Sequence, residues 1–160
     1  MTAGLLTVAI THEHDVVAAR QRVRQLTGLL GFDTHEQTRI ATAVSEIARN
    51  AYTYAGGGKV EFSVEGKTSP QVFVVRVTDS GPGIADLARV LDGQYRSTTG
   101  MGLGLIGARR LMDQFAVESS PSGTTVLLKK IFPRKAPLVT TARLARIGAE
   151  LAQQKPESPL

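Results

Sequence analysis

The chain has 160 residues, of which 42% are hydrophobic and 21% charged, a composition typical of one globular domain that buries its own core. It contains no cysteine, which excludes disulfides, thiolate metal sites and cysteine nucleophiles. The formal net charge is +5, but residues 134–160 carry five Lys or Arg against two Asp or Glu, so much of the excess lies in the tail and we expect no nucleic-acid partner.

The distribution of hydrophobic residues along the chain bears on membrane insertion and cellular location. No run of 18 apolar residues occurs, and the first ten residues lack a basic leader. We therefore expect no membrane span, no signal peptide and a cytoplasmic location.

The first half of the chain predicts a strand, two helices and a hairpin. Residues 5–10 are apolar and β-branched, which is typical of a strand, and residues 15–30 have helical apolar spacing. A second helix is predicted from Thr34, where Thr34 and Gln37 have capping-box spacing, to about Tyr54. The glycines at 56–58 then open a hairpin with strands 59–65 and 71–79.

The second half predicts a loop, a helix and a final pair of strands. Residues 80–99 are expected to form a loop and lid, followed by a helix from about Gly102 to Phe115. A short strand near 116–119 and a longer one at 123–132 complete the domain. This order predicts an α+β fold, a two-layer α/β sandwich with a mixed β-sheet and helices on one face.

The tail is predicted to be a separate segment. Residues 133–137, PRKAP, read as a basic hinge that divides a domain at 1–133 from a tail at 134–160. In the tail Leu144, Ile147 or Gly148, and Leu151 have heptad-like spacing, which favours a short helix. We expect this helix to lead into a coiled coil or further domain, or to support a homodimer, with a frayed tail as the alternative.

Two glycine-rich turns, 79-DSGPGI-84 and 100-GMGLGLIG-107, indicate close approach of the backbone to a ligand. A phosphate-binding P-loop is excluded because no Gly-Lys-Ser or Gly-Lys-Thr occurs. The dinucleotide pattern GxGxxG matches at 102–107, but a polar turn precedes it where a buried strand is required. A third interpretation uses both turns together with a helix.

On the second predicted helix, Glu46 and Asn50 are four residues apart and share a face. A carboxylate can act as a general base, and an amide oxygen suits Mg²⁺. Asp79 ends a buried strand, where it can accept a hydrogen bond from an exocyclic amine. The glycines after position 99 offer free N–H groups at a helix start, where phosphates are favoured.

Four segments in this order, 46-EIARN-50, 79-DSGPG-83, 100-GMGLG-104 and 123-GTT-125, resemble the N box and three glycine boxes of the Bergerat-fold ATPases, which include gyrase B, sensor histidine kinases and MutL. Residues 41–58 and 107–119 more narrowly resemble the RsbT-like serine/threonine switch kinases of bacterial partner-switching systems. The resemblance covers about residues 5–132.

The resemblance implies a role for each matching residue. Glu46 matches the catalytic carboxylate, and Asn50 the asparagine that holds Mg²⁺ beside ATP. Arg49 fits the pattern too, either contacting phosphate or pairing with Glu46 or a neighbouring acid. The remaining positions implied to contact ATP are Asp79 at the adenine amino group, Gly81, Gly83 and Ile84 around the base, Gly100, Gly102 and Gly104 at the phosphates, and Thr124 beside adenine.

The function implied is an ATP- and Mg²⁺-dependent serine/threonine protein kinase that phosphorylates a STAS-domain antagonist, with a sigma factor or a phosphatase as further partners. One alternative is a regulatory module, like the anti-sigma factors, that sequesters partners with ATP as a structural ligand. Another is the ATPase module of a larger sensor kinase.

Three other features have plainer explanations. His12 and His14 resemble metal ligands, but the sequence offers no obvious third, and a solvated helix start is preferred. The pair His12-Glu13 lacks the rest of a histidine-kinase phosphoacceptor motif. Arg109 and Arg110 are expected on a solvated helix face rather than in a substrate site.

Overall fold

A computed structural model of the chain describes residues 2–92 and 101–153. Within these ranges the chain forms five strands and five helices. The strands are β1 Thr2–Ile10, β2 Gly58–Glu65, β3 Val72–Asp79, β4 Gln114–Ser120 and β5 Gly123–Ile131. The helices are α1 Glu13–Leu30, α2 Thr34–Ala55, α3 Leu87–Leu91, α4 Met101–Leu111 and α5 Thr141–Gln153. This content confirms the α+β class.

The five strands form one sheet in the order β1-β2-β3-β5-β4. Every adjacent pair is antiparallel, so the expectation of a mixed sheet was wrong. The reason lies in the crossover after β3. The chain passes through α3 and α4 and returns as β4 in the same direction as β3, but β5 lies between them, so the two never pair.

The core lies between the sheet and the helices. Phe62 of β2 and its cross-strand partner Val75 of β3 are fully buried, whereas Arg76, which follows Val75 and points to the other face, is exposed. Helix α2 presents Ile40, Val44 and its later apolar residues to this buried face, as its 3.6-residue apolar spacing predicts. Helix α2 contacts the sheet and α4, and Asp79 at the end of β3 shares a cleft with residues 47–55 in the second half of α2.

The start of α2 differs from the prediction. Asp33, not Thr34, is the N-cap, and its Oδ1 accepts a hydrogen bond from the Glu36 N–H at 2.8 Å. Gln37 does not close a capping box, because its Nε2 donates to the Phe32 carbonyl at 2.8 Å. The expected helix is present, but its N-cap lies one residue earlier than the pattern indicated.

The region after the lid also differs. Helix α4 ends at Leu111 rather than near Phe115, and β4 begins at Gln114. Asp113 explains the early end, since its N–H donates to the Lys129 carbonyl at 3.0 Å and its Oδ2 accepts from the Ile131 N–H at 2.7 Å. These bonds draw the chain to the sheet before the helix can continue. The short helix α3 within the predicted lid was not foreseen.

The tail helix α5 packs on α1 and β1 of its own chain, with Ile147 and Leu151 buried. Gln71 anchors the approach to α5: its Oε1 accepts from the Val139 N–H at 2.8 Å and its Nε2 donates to the Val139 carbonyl at 3.2 Å. Arg143 then donates through Nη2 to the Leu29 carbonyl at 2.8 Å. A domain boundary at 133 and a homodimer through the tail remain predictions.

The helices within residues 2–92 and 101–153 were also assessed as membrane spans. None of them combines the length and the apolar character needed to cross a bilayer.

Candidate active site

A cleft opens between α2, the ends of β3 and β5, and the start of the crossover. Its walls are largely apolar, formed by side chains such as Ile47, Leu105 and Val126. Polar groups converge at two places, near Asn50 on α2 and near Asp79 on the sheet. An apolar cleft with a few convergent polar groups is the usual form of a small-molecule site.

Glu46 and Asn50 lie one turn apart on α2 and face Gly104 of α4. A Cβ atom at Gly104 would lie 3.3 Å from Glu46 Oε2 and 3.4 Å from Asn50 Nδ2. A side chain here would press on both polar groups, so a glycine keeps their surroundings open. Asn50 Nδ2 is buried and has no hydrogen-bond partner among the described residues, which leaves it available to a ligand.

Arg49 lies between these two residues on α2 and is exposed. No ion pair joins it to Glu46 or to another acid of the described chain, so the pairing alternative is not formed in this structure.

Asp79 ends β3 and uses one carboxylate oxygen to hold the site together. Its Oδ1 accepts hydrogen bonds from the Gly81 N–H at 3.0 Å and the Thr124 N–H at 3.2 Å. Its Oδ2 accepts none from residues 2–92 and 101–153. Asp79 lines the cleft, so the unused oxygen is an acceptor for a ligand donor.

The turn after Asp79 is tightly packed. Gly83 has φ 86°, and a Cβ there would collide with the Ser120 carbonyl, while one at Gly81 would collide with Ala55. Ile84 follows, lines the cleft and donates its N–H to Ser119 Oγ at 2.8 Å. These glycines let the chain turn against α2 and β4 and so shape the cleft.

Thr124 faces the cleft from β5 and is only 7% exposed. Its Oγ1 lies 2.9 Å from Ser119 Oγ, the hydroxyl that also accepts from Ile84. Ser119 was missed at the sequence level. The signal was available, because Ser119 continues the inward alternation of Phe115 and Val117 along β4 and is a polar residue on that face.

Two of the three predicted phosphate-binding glycines lie among the described residues. Gly102 and Gly104 belong to helix α4, which starts at Met101. Gly100, and with it residues 93–100 of the predicted lid, lies outside the described residues.

The histidines lie at the start of α1 and are exposed. Asp15, which was not considered at the sequence level, is a third potential ligand: the potential ligand atoms of His12, His14 and Asp15, one from each residue, lie within 4.8 Å of one another. Asp15 already serves the helix start, because its Oδ2 accepts from the N–H groups of Thr11 and His12, each at 2.8 Å. Partial burial raises the pKa of the Asp15 carboxyl. The hydrogen bonds lower this pKa by more than burial raises it, so the net pKa lies below its usual value.

Arg109 and Arg110 are exposed in the last turn of α4, as expected for a solvated helix face.

Comparison with known proteins identifies the family. The family described as Histidine kinase-like ATPase domain matches residues 9–130. The serine/threonine-protein kinase RsbT of Bacillus subtilis (strain 168) is 42% identical over 112 residues, which cover 70% of this chain and 84% of that protein. An anti-sigma F factor of Clostridium botulinum (strain Eklund 17B / Type B) is 29% identical over 120 residues, covering 71% and 84% respectively.

A solved structure agrees in fold. The SiaB–SiaC complex from Pseudomonas aeruginosa contains a chain that aligns with a TM-score of 0.54 at 12% identity, covering 81% of this chain and 91% of that one. At this identity the likeness concerns the fold alone. The extent of the family match and the identity to RsbT decide the assignment: the chain belongs to the histidine kinase-like ATPase domain family and, within it, to the serine/threonine switch kinases related to RsbT.

Proposed function

We propose that the chain is an ATP- and Mg²⁺-dependent serine/threonine protein kinase of a partner-switching pathway, which transfers the γ-phosphoryl group of ATP to a hydroxyl of a partner protein. Membership in the RsbT-related kinases supports the reaction class. The observation that carries the assignment to this cleft is a pair of unused polar groups at its two ends, Asp79 Oδ2 and the buried Asn50 Nδ2.

At the sheet end, Asp79 would receive the adenine amino group through Oδ2. Gly81, Gly83 and Ile84 would lie along the base, and Thr124 beside it. The apolar walls suit a flat ring, since they remove its faces from water.

At the helix end, Asn50 would hold Mg²⁺. The ligand to Mg²⁺ would be its amide oxygen, since hard cations take oxygen ligands, and the buried, unpaired Nδ2 would be left to donate to a phosphate oxygen. When bound, Mg²⁺ supplies neutralisation of phosphate charge. Gly100, Gly102 and Gly104 would donate N–H groups to the phosphates, and exposed Arg49 would add a positive charge at the rim.

Glu46 would act as the base. The partner hydroxyl oxygen forms a bond to the γ-phosphorus, the bond from that phosphorus to the bridging oxygen of ADP breaks, and the hydroxyl proton passes to Glu46. Much of the acceleration would come from positioning and charge stabilisation. Residues 91–104 would form the lid over the phosphates.

A STAS-domain antagonist is the partner we propose, with a sigma factor or a phosphatase as further partners. The relatives support a protein partner, since one is an anti-sigma factor and a similar fold occurs in a two-protein complex. The anti-sigma relative also favours a second candidate function, sequestration of a partner with ATP as a structural ligand. A cytoplasmic location is part of the proposal.

The experiment is phosphotransfer from ATP to STAS-domain proteins of the same genome, with Glu46→Gln and a matched control. Glu61→Gln is that control, because Glu61 lies on β2 and pairs with Lys59 at 3.6 Å, on a strand that does not line the cleft. Loss of phosphotransfer in Glu46→Gln but not in Glu61→Gln supports the kinase function. Partner binding that survives Glu46→Gln but not Asp79→Asn, without any transfer, supports sequestration instead.

A further inference from the structure

Three hydroxyl and amide groups join the turn after β3 to the strands β4 and β5. Ser119 Oγ lies at the centre: it accepts from the Ile84 N–H at 2.8 Å and lies 2.9 Å from Thr124 Oγ1. Thr124 is in turn joined to Asp79, whose Oδ1 accepts the Thr124 N–H at 3.2 Å. Ser119 is therefore bonded to both walls around the proposed adenine site without lining the cleft itself.

The hydrogen bonds of Ser119 leave one proton of the Ser119–Thr124 hydroxyl pair without an acceptor in the described chain. A backbone N–H can only donate, so Ile84 occupies one lone pair of Ser119 Oγ. Within the described ranges, Thr124 Oγ1 is the only acceptor that remains for the Ser119 proton. Either hydroxyl can donate to the other, and whichever donates, the other proton has no acceptor in residues 2–92 and 101–153. A ligand acceptor in the cleft beside Thr124 would pair both protons, with Ser119 donating to Thr124 and Thr124 donating to the ligand.

The arrangement in which Ser119 donates has a consequence for the cleft. Thr124 Oγ1 then accepts from Ser119, and the Thr124 proton, which has no other acceptor in residues 2–92 and 101–153, can face the cleft that Thr124 lines. Asp79, its direct neighbour across the ladder, presents the unused acceptor Oδ2 to the same cleft. The two residues together offer an acceptor and a donor side by side.

We propose that Ser119 is a positioning residue that turns the Thr124 hydroxyl proton toward the nucleotide base, and so sets the preference for adenine. Adenine presents an amino donor beside the ring acceptor N1, which matches Asp79 and Thr124. Guanine presents an oxygen acceptor beside an N–H donor, which opposes both. This inference rests on the proposed ATP binding.

The test measures nucleotide Kd and phosphotransfer kinetics for the full chain. We expect Ser119→Ala to raise the Kd for ATP about tenfold, with kcat at saturating ATP nearly unchanged, and to reduce the preference for ATP over GTP. Ser119→Thr keeps the hydroxyl and should restore the Kd. Ser122→Ala, in the exposed turn between β4 and β5, is the matched control and should bind as the unchanged chain does.

Coupling to Thr124 separates positioning from a general structural effect. In a Thr124→Val background, adding Ser119→Ala should change the Kd less than twofold, because the hydroxyl through which Ser119 acts is gone. A full tenfold loss in that background would overturn the proposal, as would an unchanged Kd in Ser119→Ala alone.

The unchanged chain supplies a second test that needs no variant. An ATP analogue with a C–H group in place of N1 should bind about tenfold more weakly than ATP. Equal binding of the two would overturn the proposal even if Ser119→Ala failed to fold. Failure of the unchanged chain to bind ATP at all would instead contradict the proposed function.

Discussion

Asp79 and Thr124 stand directly opposite each other in the β3–β5 ladder, and the Thr124 N–H donates to Asp79 Oδ1 at 3.2 Å. The same oxygen accepts from Gly81 at 3.0 Å, so one half of the carboxylate is structural and the other half faces the cleft. This division allows ligand binding to be altered while the fold is kept.

Asp79→Asn is expected to abolish ATP binding and leave the fold intact. The asparagine oxygen can still accept from Gly81 and Thr124, but an NH₂ group replaces the acceptor Oδ2 and opposes the adenine amine. We expect the Kd for ATP to rise at least about 100-fold, because a buried donor then lacks a partner. Titration calorimetry measures the Kd, and circular dichroism checks the fold. Tight binding by the variant would show that the base lies elsewhere.

Glu46→Gln is expected to separate catalysis from binding. The amide keeps the size of the side chain beside Gly104 but cannot take the hydroxyl proton. General-base removal should lower kcat roughly 100-fold or more, while the Kd for ATP changes little. Single-turnover transfer at saturating ATP measures this. Retained kcat would exclude Glu46 as the base.

Lys130→Ala is expected to destabilise the fold. Lys130 is only 8% exposed, and its Nζ lies 2.8 Å from Glu36 Oε2, 3.8 Å from Asp113 Oδ1 and 3.2 Å from the Leu111 carbonyl. Removing it leaves these acceptors without their cation, at an expected cost of about 2–4 kcal/mol in the free energy of unfolding. Urea denaturation measures the loss. Lys129→Ala serves as comparison, since its pair with Glu65 is more exposed and should contribute less.

Gln71→Ala is expected to release the tail. Gln71 is 4% exposed and bonds to both backbone groups of Val139, which fixes the chain leading to α5. Without these bonds we expect faster proteolysis between Phe132 and Thr141 at unchanged ATP affinity, because neither Gln71 nor Val139 nor any residue of α5 lines the cleft. Limited trypsin digestion followed by mass spectrometry tests this at Arg134 and Lys135. An unaltered cleavage rate would mean that α5 alone holds the tail.

The stabilising contribution of Asp15 to the fold is expected to be lost at low pH. Burial raises its pKa, but the hydrogen bonds from Thr11 and His12 lower it more, so the folded pKa is depressed. A depressed carboxyl pKa stabilises the fold above the unfolded value of about 3.9 and loses that contribution as the pH falls through the folded pKa. The difference in unfolding free energy between the chain and Asp15→Ala, about 1 kcal/mol at pH 7, should therefore shrink below about pH 4. A difference that stays constant to pH 2 would contradict this.

Much of the fold could be predicted from the sequence because its apolar periodicity is strong, as in α2, where Ile40, Val44 and Ile47 all lie buried. The cap at Asp33 and the early end of α4 could not, since they depend on which of several polar residues bonds to the backbone in three dimensions. Pairing of β5 with β3 likewise depends on long-range contacts that local patterns do not encode.

The candidate site shows the same division. Glu46, Asn50, Asp79 and Thr124 could be chosen from the order and spacing of four boxes, and the structure brings them around one cleft or one glycine. The alternation along β4 indicates that Ser119 faces inward, but its two hydrogen-bond partners, 35 and 5 residues away along the chain, could not be predicted.

The most direct test of a kinase at this cleft follows the phosphate itself. The purified chain is incubated with a STAS-domain protein of the same genome and ATP labelled in either the γ- or the α-phosphate. Label on a serine or threonine of the partner from γ-labelled ATP alone, lost in Asp79→Asn and Glu46→Gln but kept in Glu61→Gln, is the predicted result. Tight ATP binding without transfer to any such partner, or transfer that survives both substitutions, would contradict it.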